Sequence, residues 1–582
     1  MPDKPGQSSW MRILAFLAAC CIPALSLWVL WNWLPNEAWL RWGIVLLGVA
    51  GTYGLARILW RGMSSVEGLY ISVLGVAAWF TVMSYAQLVT NYPFKLYWSE
   101  GNRFYDYSLI FAKNLYQSNV PVAPLYNEPG RYALWGILFA IPGLPIWVHR
   151  LWNAILWIVP LLLVGILLAR WQQISRLYRL FFVVWVFLFL MQGPIYPSLV
   201  MGVILVLMTA RWKHLALRMV VVFLAGYYVG LSRWTWLVAP AVWAGLLALL
   251  WQEDDPDNQR WGWLPVSRKA FLEAALLVAS SVLGGILAKP GLFSAPEEAT
   301  GFALKQPLLW YRLFPNATYS YGLLLGALLA AGPLAMILIW LVWTKRWRLN
   351  WLQWLSALLP SLAFLALGLV ASTKIGGGSN LHNLDMFLIT LVILAGLALR
   401  VLINKGMALP AAWPRLAQAL FLLVIFLPAL EAFKSGSPQK IPSQEVVRNA
   451  LDVIQTEVSQ AGQAGEVLVM DQRQLLTFGN IQNVTLVPEY EMKYMMDQSM
   501  AGSPASFARF YQDLRDRRFA LIVSSILKVQ SQGAEHDFGE ENDAWDRWVA
   551  SAVLCYYKPL QTLKEVRVQL LVPRASPGEN CP

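Results

Sequence analysis

The segment LYWSEGNRFYDYSLIFAKNLY, residues 96–116, follows an almost purely apolar run and carries Glu100 and Asp106 beside Arg103 and Lys113. Charges at the end of such a run belong either to an ordinary solvated loop or to a reactive centre at a bilayer surface. An apolar run followed by a short polar connection recurs along the whole chain, and this alternation predicts the fold.

From Phe104 onward, the segment has the spacing of an amphipathic helix. One face carries Phe104, Tyr107, Phe111 and Leu115, and the other carries Asn102, Asp106 and Lys113. A helix of this length is too short to cross roughly 30 Å of hydrocarbon, so it is expected to lie in the plane of the bilayer surface. Glu100 is then at the joint between the preceding span and this helix.

The composition is that of a polytopic α-helical membrane protein. Of the 582 residues, 58% are hydrophobic and only 13% are charged, and 31 are tryptophan. A soluble chain of this length needs far more polar surface. Apolar runs long enough to cross a bilayer recur about thirteen times. They begin near residues 11, 38, 66, 147, 177, 194, 215, 235, 270, 320, 351, 384 and 415.

Basic residues are concentrated in alternate connections between these runs, which predicts the orientation. RILWRG, RWQQISRLYR, RWKHLALR, TKRWRLNW and RVLINKG alternate with other connections, and the short ones among these, PNEAW, QGPIYPS, LSRWT and STKIGGGSNLHNLD, contain at most one cation each. The positive-inside rule then places the N-terminus in the cytoplasm and the C-terminus outside. Residues 1–433 form the predicted membrane domain. The loops 91–146, 289–319 and 372–383 and the loop at Arg233 lie on the external face.

Residues 434–582 have a different composition, and we expect an extracytoplasmic α/β domain. SGSPQKIPSQ is a linker of turn-forming and polar residues. The β-rich runs EVLVMD, FALIVSSI and VRVQLLVP alternate with helical stretches such as 503–518. No nucleophile or metal-ligand spacing occurs, which favours a lid or docking module. Cys555 and Cys581 can pair only if the fold brings them together.

The formal net charge of +12 does not indicate a nucleic-acid partner. The chain has no basic run with interleaved aromatic residues in a polar segment. In a membrane protein, excess basic residues in cytoplasmic loops account for the charge.

Two external connections contain residues suited to an anion. Arg233, in GLSRWTW, begins a span, where the positive helix end and a guanidinium both favour phosphate. It could equally be an arginine that extends to the interface beside two tryptophans. STKIGGGSNLHNLDMF, residues 372–387, combines three glycines with the donors Lys374, Asn380, His382 and Asn383. The alternative is a flexible turn in which Asn383 caps the next helix.

Other charged residues are weaker candidates. YNEPGRY places Glu128 and Arg131 in the first external loop, and VHRLWN places His149 and Arg150 at the start of the fourth span. Each pair could line a groove or anchor the chain at the interface. Lys289 and Arg312 lie in the loop 289–319. His382 alone does not make a metal site.

A transmembrane helix, an acidic residue and then an aromatic-rich interfacial helix resemble the first external loop of the GT-C glycosyltransferases. This superfamily includes protein O-mannosyltransferases and lipid A aminoarabinose transferases. Their loop typically reads Asp-Glu-x-x-Tyr, whereas this chain has SEGNRFYD, with Ser99 at the first acidic position and Glu100 at the second. Lys-x-Gly-Gly-x-x-Asn loops, matched by Lys374–Asn380, also occur in bacterial proteins of this kind. Because a serine replaces the first acidic residue, any metal site implied by the resemblance lacks a carboxylate at position 99.

The resemblance implies an inverting transferase of the plasma (inner) membrane. Its donor would be a polyprenyl-phosphate- or pyrophosphate-linked sugar, because nucleotide-activated sugars are cytosolic, and its acceptor a glycan, a lipid or a protein. Glu100 would be the general base, and Arg233 and Lys374 would hold the leaving phosphate. Arg103, Asp106, Arg131, Asn380, His382 and Asn383 would line the site. A divalent cation (Mg or Mn) could take part. A transporter or flippase of lipid-linked glycans, or a glycan polymerase or ligase, are the alternatives.

Overall fold

The computed structural model describes residues 7–31, 38–251, 260–261, 264–292, 304–378, 380–406, 413–579 and 581–582. Part of the predicted external loop 289–319 therefore lies outside the described residues. The helices of the N-terminal three quarters are α1 Gln7–Leu30, α2 Ala38–Leu59, α3 Ser65–Ala86, α4 Glu100–Phe111, α5 Pro129–Gly136, α6 Ile146–Ala169, α7 Arg176–Met191, α8 Pro197–Thr209, α9 Leu215–Ser232, α10 Ala239–Leu250, α11 Arg268–Ala288, α12 Gly322–Trp343, α13 Trp351–Thr373, α14 Asp385–Asn404 and α15 Arg415–Phe433. A short hairpin, β1 Arg260–Trp261 and β2 Leu264–Ser267, precedes α11.

Each predicted apolar run coincides with one helix, namely α1 to α3 and α6 to α15. Within the described residues, ten of these helices are long and apolar enough to cross a membrane. The other three, α7, α8 and α10, have 16, 13 and 12 residues. The number of helices that cross the bilayer stays a prediction.

Glycines bring α9 and α11 into close contact, and this contact positions the end of α9. A Cβ atom on Gly226 would lie 2.1 Å from the Ser281 carbonyl oxygen, and one on Gly284 would lie 2.3 Å from the Phe223 carbonyl oxygen. Small residues of this kind let membrane helices approach backbone to backbone. The helix α9 ends at Ser232, so the residue that follows it, Arg233, is placed by a rigid helix pair.

Residues beyond 433 form the helices α16 Gln444–Ala464, α17 Gln474–Thr477, α18 Met492–Ala501, α19 Pro504–Arg515, α20 Gly539–Trp545 and α21 Ser551–Tyr556, with strands β3 Glu466–Val469, β4 Phe519–Ser525, β5 Tyr557–Leu563 and β6 Val568–Pro573. The four strands make one sheet in the order β3-β4-β6-β5. Only β3 and β4 are parallel. The predicted strands are confirmed as β3, β4 and β6, and the predicted helix 503–518 as α19.

This C-terminal part packs directly on α4, and the prediction for the polar face of α4 needs correction. Asn102 and Asp106 were expected on a polar face, yet they are 1% and 0% exposed. The amide of Asn102 donates to the Met470 carbonyl oxygen at 3.5 Å, and a Cβ atom on Gly101 would lie 1.9 Å from Gln474 Oε1. Protein therefore covers the polar face of α4, whereas Phe111 on the apolar face is 42% exposed.

Cys555 and Cys581 form a disulfide with their Cα atoms 5.6 Å apart, while Cys20 and Cys21 are free. Disulfides persist in oxidising compartments, so the bond agrees with an extracytoplasmic C-terminal part.

We expect denatured protein from whole cells to react with a PEG-maleimide at two cysteines before reduction and at four afterwards. Four reactive cysteines in unreduced protein would contradict the predicted orientation. Cys555→Ser is expected to lower the free energy of unfolding of this part by about 3 kcal/mol.

Candidate functional site: an arginine cluster at the helix ends

Three guanidinium groups from separate elements face one tyrosine. Arg103 lies on α4, Arg131 lies on α5, and Arg233 follows α9, while Tyr196 directly precedes α8. The Cζ atom of Arg131 is 4.4 Å from the centroid of the Tyr196 ring. Burial raises the pKa of the Tyr196 hydroxyl, but Arg131, Arg103 and Arg233 together bring it below its ordinary value. We call these three arginines the arginine cluster.

The cluster has few partners to neutralise it. Arg131 donates to Glu128 Oε2 at 3.0 Å, and Arg233 donates to the side-chain oxygen of Asn383 at 3.3 Å. Among the described residues, the guanidinium of Arg103 donates no hydrogen bond, and its Nη1 is buried. Partly buried guanidinium groups that outnumber their carboxylates favour an anionic ligand, and phosphate is one that they grip in bidentate fashion.

Asp106 does not supply the missing negative charge. Both of its carboxylate oxygens are buried without a hydrogen-bond partner in the described structure. Burial and the nearby Glu491 raise its pKa to about 8, although Arg103 lowers it. Burial therefore favours the neutral form of Asp106, so this carboxyl offsets little of the positive charge of the cluster.

Glu128 is the carboxylate that contacts the cluster, and the sequence ranked it only as a weaker candidate. Its side chain is 27% exposed. Burial raises its pKa, but Arg131 and Arg103 outweigh this effect and lower it, so Glu128 is ionised at neutral pH. Gly130 holds its loop against α9, since a Cβ atom there would lie 2.7 Å from Ser232 Oγ. Lys289 donates to the neighbouring Asn127 carbonyl oxygen at 2.6 Å.

The polar residues of 374–383 lie on the Arg233 side of the cluster. Burial and the charge of Arg233 both lower the pKa of Lys374. The ring of His382 is 6.1 Å from that of Tyr196, and its Nδ1 is 2.7 Å from the Asn380 side-chain oxygen. Asn383 donates to the Gly377 carbonyl oxygen at 3.0 Å and does not cap α14, because the N-cap residue of that helix is Leu384.

The sequence predicted a ligand at the glycine run. In the structure, this run contacts the C-terminal part of the chain. The Gly376 amide donates to Glu541 Oε1 at 2.7 Å. Both oxygens of Glu541 also accept from Arg312, at 2.8 and 2.7 Å. Gly376 and Gly378 have φ angles of 74° and 88°, which favour glycine. The glycines therefore shape the loop and fix it to Glu541, and Arg312 belongs to this contact.

Glu100 is enclosed in an ion pair that the sequence did not indicate. Its carboxylate accepts from Arg150 Nε at 2.9 Å and Nη2 at 3.0 Å, and from the Leu96 amide at 2.7 Å. Glu100 is 1% exposed and Arg150 is 2% exposed. Arg150, which the sequence left open as a groove residue or an interfacial anchor, is the buried partner of Glu100. A catalytic role for Glu100 stays a prediction, and the closed ion pair favours a role in positioning α4.

Arg150 also donates to the carbonyl oxygens of Thr90, Tyr92 and Phe94, so it organises the approach to α4. Arg150→Gln is expected to lower the free energy of unfolding by about 3–5 kcal/mol, because it leaves a buried carboxylate unpaired. Thermal unfolding in detergent measures this loss. The double variant Arg150→Met, Glu100→Gln is expected to recover part of it. An unchanged melting temperature for Arg150→Gln would contradict the structural role.

A resident divalent cation does not fit the residues present. Among the described residues, no group of three or more His, Cys, Asp or Glu side chains is arranged to hold a metal ion. Ser99, at the position where the resembling loop carries a carboxylate, offers only a hydroxyl. The Nδ1 atom of His382 is in hydrogen-bond contact with the Asn380 side-chain oxygen, and the charges of Arg233 and Arg131 disfavour a second cation beside its ring.

No protein-family model and no curated protein match the chain. Among solved structures, the fold is similar to that in the crystal structure of ArnT from Cupriavidus metallidurans bound to undecaprenyl phosphate, with 15% sequence identity and a TM-score of 0.38. The similarity covers 87% of this chain and 98% of that chain. At this identity and TM-score, function has to be inferred from this chain's own residues.

Proposed function

We propose that the chain is an integral-membrane glycosyltransferase of the GT-C kind. It transfers a sugar from a polyprenyl-phosphate-linked donor to an acceptor on the extracytoplasmic face of the inner membrane. The observation that carries the proposal is the arginine cluster: three guanidinium groups, from the first turns of α4 and α5 and the end of α9, beside one partly exposed carboxylate, Glu128.

The cluster suits a donor that is apolar at one end and anionic at the other. The apolar helix α9 ends at the cluster and exposes Leu224 and Tyr227 as surface for a polyprenyl tail, and the cluster offers charge for the phosphate. As the glycosidic bond breaks, negative charge accumulates on the leaving phosphate. Donors already in place at that position stabilise the transition state without reorganisation.

We assign the general base to Glu128. It accepts the proton of the acceptor hydroxyl while the acceptor oxygen forms a bond to the anomeric carbon from the face opposite the phosphate. The bond from that carbon to the phosphate oxygen breaks, its electron pair stays with the phosphate, and the sugar is transferred with inversion. Glu128 is ionised and reachable, whereas both oxygens of Glu100 are held by Arg150.

The extracytoplasmic side is supported by two independent features. The basic connections predict that the ends of α9 and α13 face outward, and these ends carry Arg233 and Lys374. The Cys555–Cys581 disulfide belongs to an oxidising compartment. Since nucleotide sugars are absent there, a lipid carrier is the chemically reasonable donor.

Product analysis tests the proposal. The full-length protein in nanodiscs is supplied with a radiolabelled polyprenyl-phosphate sugar and an envelope-lipid and glycan extract from the host cells. Transfer is expected to yield a new glycosidic product and free polyprenyl phosphate in equal amounts. Translocation of intact donor in proteoliposomes, without a new bond, would instead identify a flippase. Chain extension of the donor itself would identify a polymerase.

A further inference from the structure

A cavity of about 380 Å³ lies inside the membrane domain, between the helices α3, α7, α12, α14 and α15. Its walls include residues near the start of α3 and α7 and residues near the end of α12 and α14. These four helix ends adjoin the connections RILWRG, RWQQISRLYR, TKRWRLNW and RVLINKG, which the positive-inside rule assigns to the cytoplasm. The cavity is therefore predicted to occupy the cytoplasmic half of the bundle.

The cavity and the arginine cluster lie at opposite ends of α14. This helix begins at Asp385, close to Asn383, whose side-chain oxygen accepts from Arg233 at 3.3 Å. Residues 395–403 of the same helix include the part that lines the cavity. With a rise of about 1.5 Å per residue, Leu399 lies roughly 20 Å along the helix axis from Asp385. A ligand of this cavity is therefore separate from the proposed donor phosphate.

The interior of the cavity suits a hydrocarbon chain. Leu74 on α3, Trp185 on α7 and Leu334 on α12 line it and are buried. Among the described residues that line the cavity, Glu67 alone is charged. Apolar walls exclude water and accept apolar molecules, and in a bilayer the surrounding apolar molecules are lipids. An acyl chain is therefore the occupant that these walls favour.

One end of the cavity is polar and accessible. Glu67 and Tyr178 line this end, and Tyr178 is 40% exposed. The Glu67 carboxylate accepts from the Ser64 amide at 2.9 Å and from the Tyr178 hydroxyl. No cation in the described part of the chain forms an ion pair with it. A carboxylate without a basic partner, beside an aromatic ring, favours an ammonium group as ligand.

Two arginines lie in the first turn of α7, next to Tyr178. Arg176 and Arg179 are exposed, and neither forms an ion pair within the described ranges. Arg179 donates to the Gln172 and Ile174 carbonyl oxygens, but both distances are 3.5 Å, which makes these bonds weak. The Cζ atom of Arg176 is 5.7 Å from the centroid of the Trp10 ring. Both guanidinium groups can therefore contact a phosphate at the bilayer surface.

We propose that this cavity binds one acyl chain of a phospholipid from the cytoplasmic leaflet, and that the headgroup of this lipid carries a primary ammonium. The ammonium donates to Glu67, the phosphate contacts Arg176 and Arg179, and the chain extends into the apolar interior. This order matches a lipid of that leaflet, whose headgroup lies at the surface and whose chain points toward the midplane. The inference does not depend on the transfer reaction.

The charges at the polar end distinguish this headgroup from the other common ones. An anionic headgroup without an amine would bring a second negative charge to Glu67. A choline headgroup has no N–H to donate to the carboxylate. A primary ammonium beside a phosphate complements Glu67 and the two arginines together.

Native mass spectrometry of the delipidated full-length protein in detergent tests the site. The probes are phosphatidylethanolamine, phosphatidylcholine and phosphatidylglycerol with identical acyl chains, and a polyprenyl phosphate. The wild type is expected to bind phosphatidylethanolamine about tenfold more tightly than phosphatidylcholine, because only the former donates a hydrogen bond to the carboxylate. Glu67→Gln keeps an oxygen for the Ser64 amide but loses the charge, so this preference is expected to disappear.

A second variant tests the place of the acyl chain. Ala398 lines the cavity on α14 and is 1% exposed. Ala398→Phe fills part of the cavity and is expected to weaken the binding of phosphatidylethanolamine at least tenfold. Ala366→Phe makes the same change on an exposed face of α13 and is the matched control, with normal binding expected.

Equal binding of phosphatidylethanolamine by the wild type and Ala398→Phe would place the lipid outside the cavity and overturn the proposal. A preference over phosphatidylcholine that persists in Glu67→Gln would overturn the role of Glu67, and this comparison remains decisive if Ala398→Phe fails to fold. Tighter binding of phosphatidylglycerol would overturn the ammonium assignment. Displacement of phosphatidylethanolamine by an equal concentration of the polyprenyl phosphate would assign the cavity to that lipid and overturn the proposal as well.

Discussion

Glu128→Gln is expected to slow sugar transfer by about 10²–10⁴-fold, the range that a general base contributes. The amide has nearly the shape of the carboxylate and keeps an oxygen for Arg131, but it cannot take the proton of the acceptor hydroxyl. Donor binding is expected to change little, since the phosphate is held by arginines. Single-turnover transfer from a radiolabelled polyprenyl-phosphate sugar measures the chemical step directly.

Two variants give this prediction its controls. Glu445→Gln changes an exposed carboxylate at the start of α16 and is expected to leave the rate unchanged. Glu100→Gln is measured beside Glu128→Gln with the melting temperature of each. Full activity in Glu128→Gln, together with loss of activity in a stably folded Glu100→Gln, would reverse the assignment and make Glu100 the base.

Arg103→Gln is expected to lower the rate of the chemical step by about 10²–10³-fold, the loss found when one preorganised donor to a developing anion is removed. Arg103 is the informative member of the cluster because its guanidinium donates no hydrogen bond in the described structure. Its removal therefore breaks no side-chain hydrogen bond or ion pair of the described structure. The melting temperature is expected to stay close to that of the wild type, while transfer is lost.

Arg103→Lys separates charge from geometry. A lysine keeps the positive charge but loses the bidentate grip on phosphate, so an intermediate rate is expected. Arg448→Gln, an exposed cation on α16, is the matched control. A wild-type rate in Arg103→Gln would exclude the arginine cluster as the site of the leaving phosphate.

The helices could be predicted from the sequence because each depends on a local property. An apolar run such as the one that forms α14 must satisfy its backbone within the segment, and in a bilayer it does so only as a helix. The strand β4 could also be predicted, since FALIVSSI is a short β-rich run bounded by polar residues. Arg103 and Arg131 were also named in advance from the first external loop, and Arg233 from the connection that precedes a span.

The partners of those residues could not be predicted. Arg150 lies 50 positions from Glu100, and nothing in VHRLWN indicates which carboxylate it meets. The polar face of α4 was expected to be solvated, since its cover comes from residues near 470. The sequence made Glu128 only a weaker candidate. It comes to lie beside Arg131, Arg103 and Arg233 only when α4, α5 and α9 pack together.

The sequence by itself determined a many-helix membrane architecture with charged residues at the helix ends, because hydropathy and helical periodicity act over one or a few turns. Tertiary structure alone decided which of those charges are neutralised: Glu100 by Arg150, Glu541 by Arg312, and the arginine cluster only in part. Electrostatic pairing depends on distances between side chains from remote segments, and the chain sets these distances only by folding.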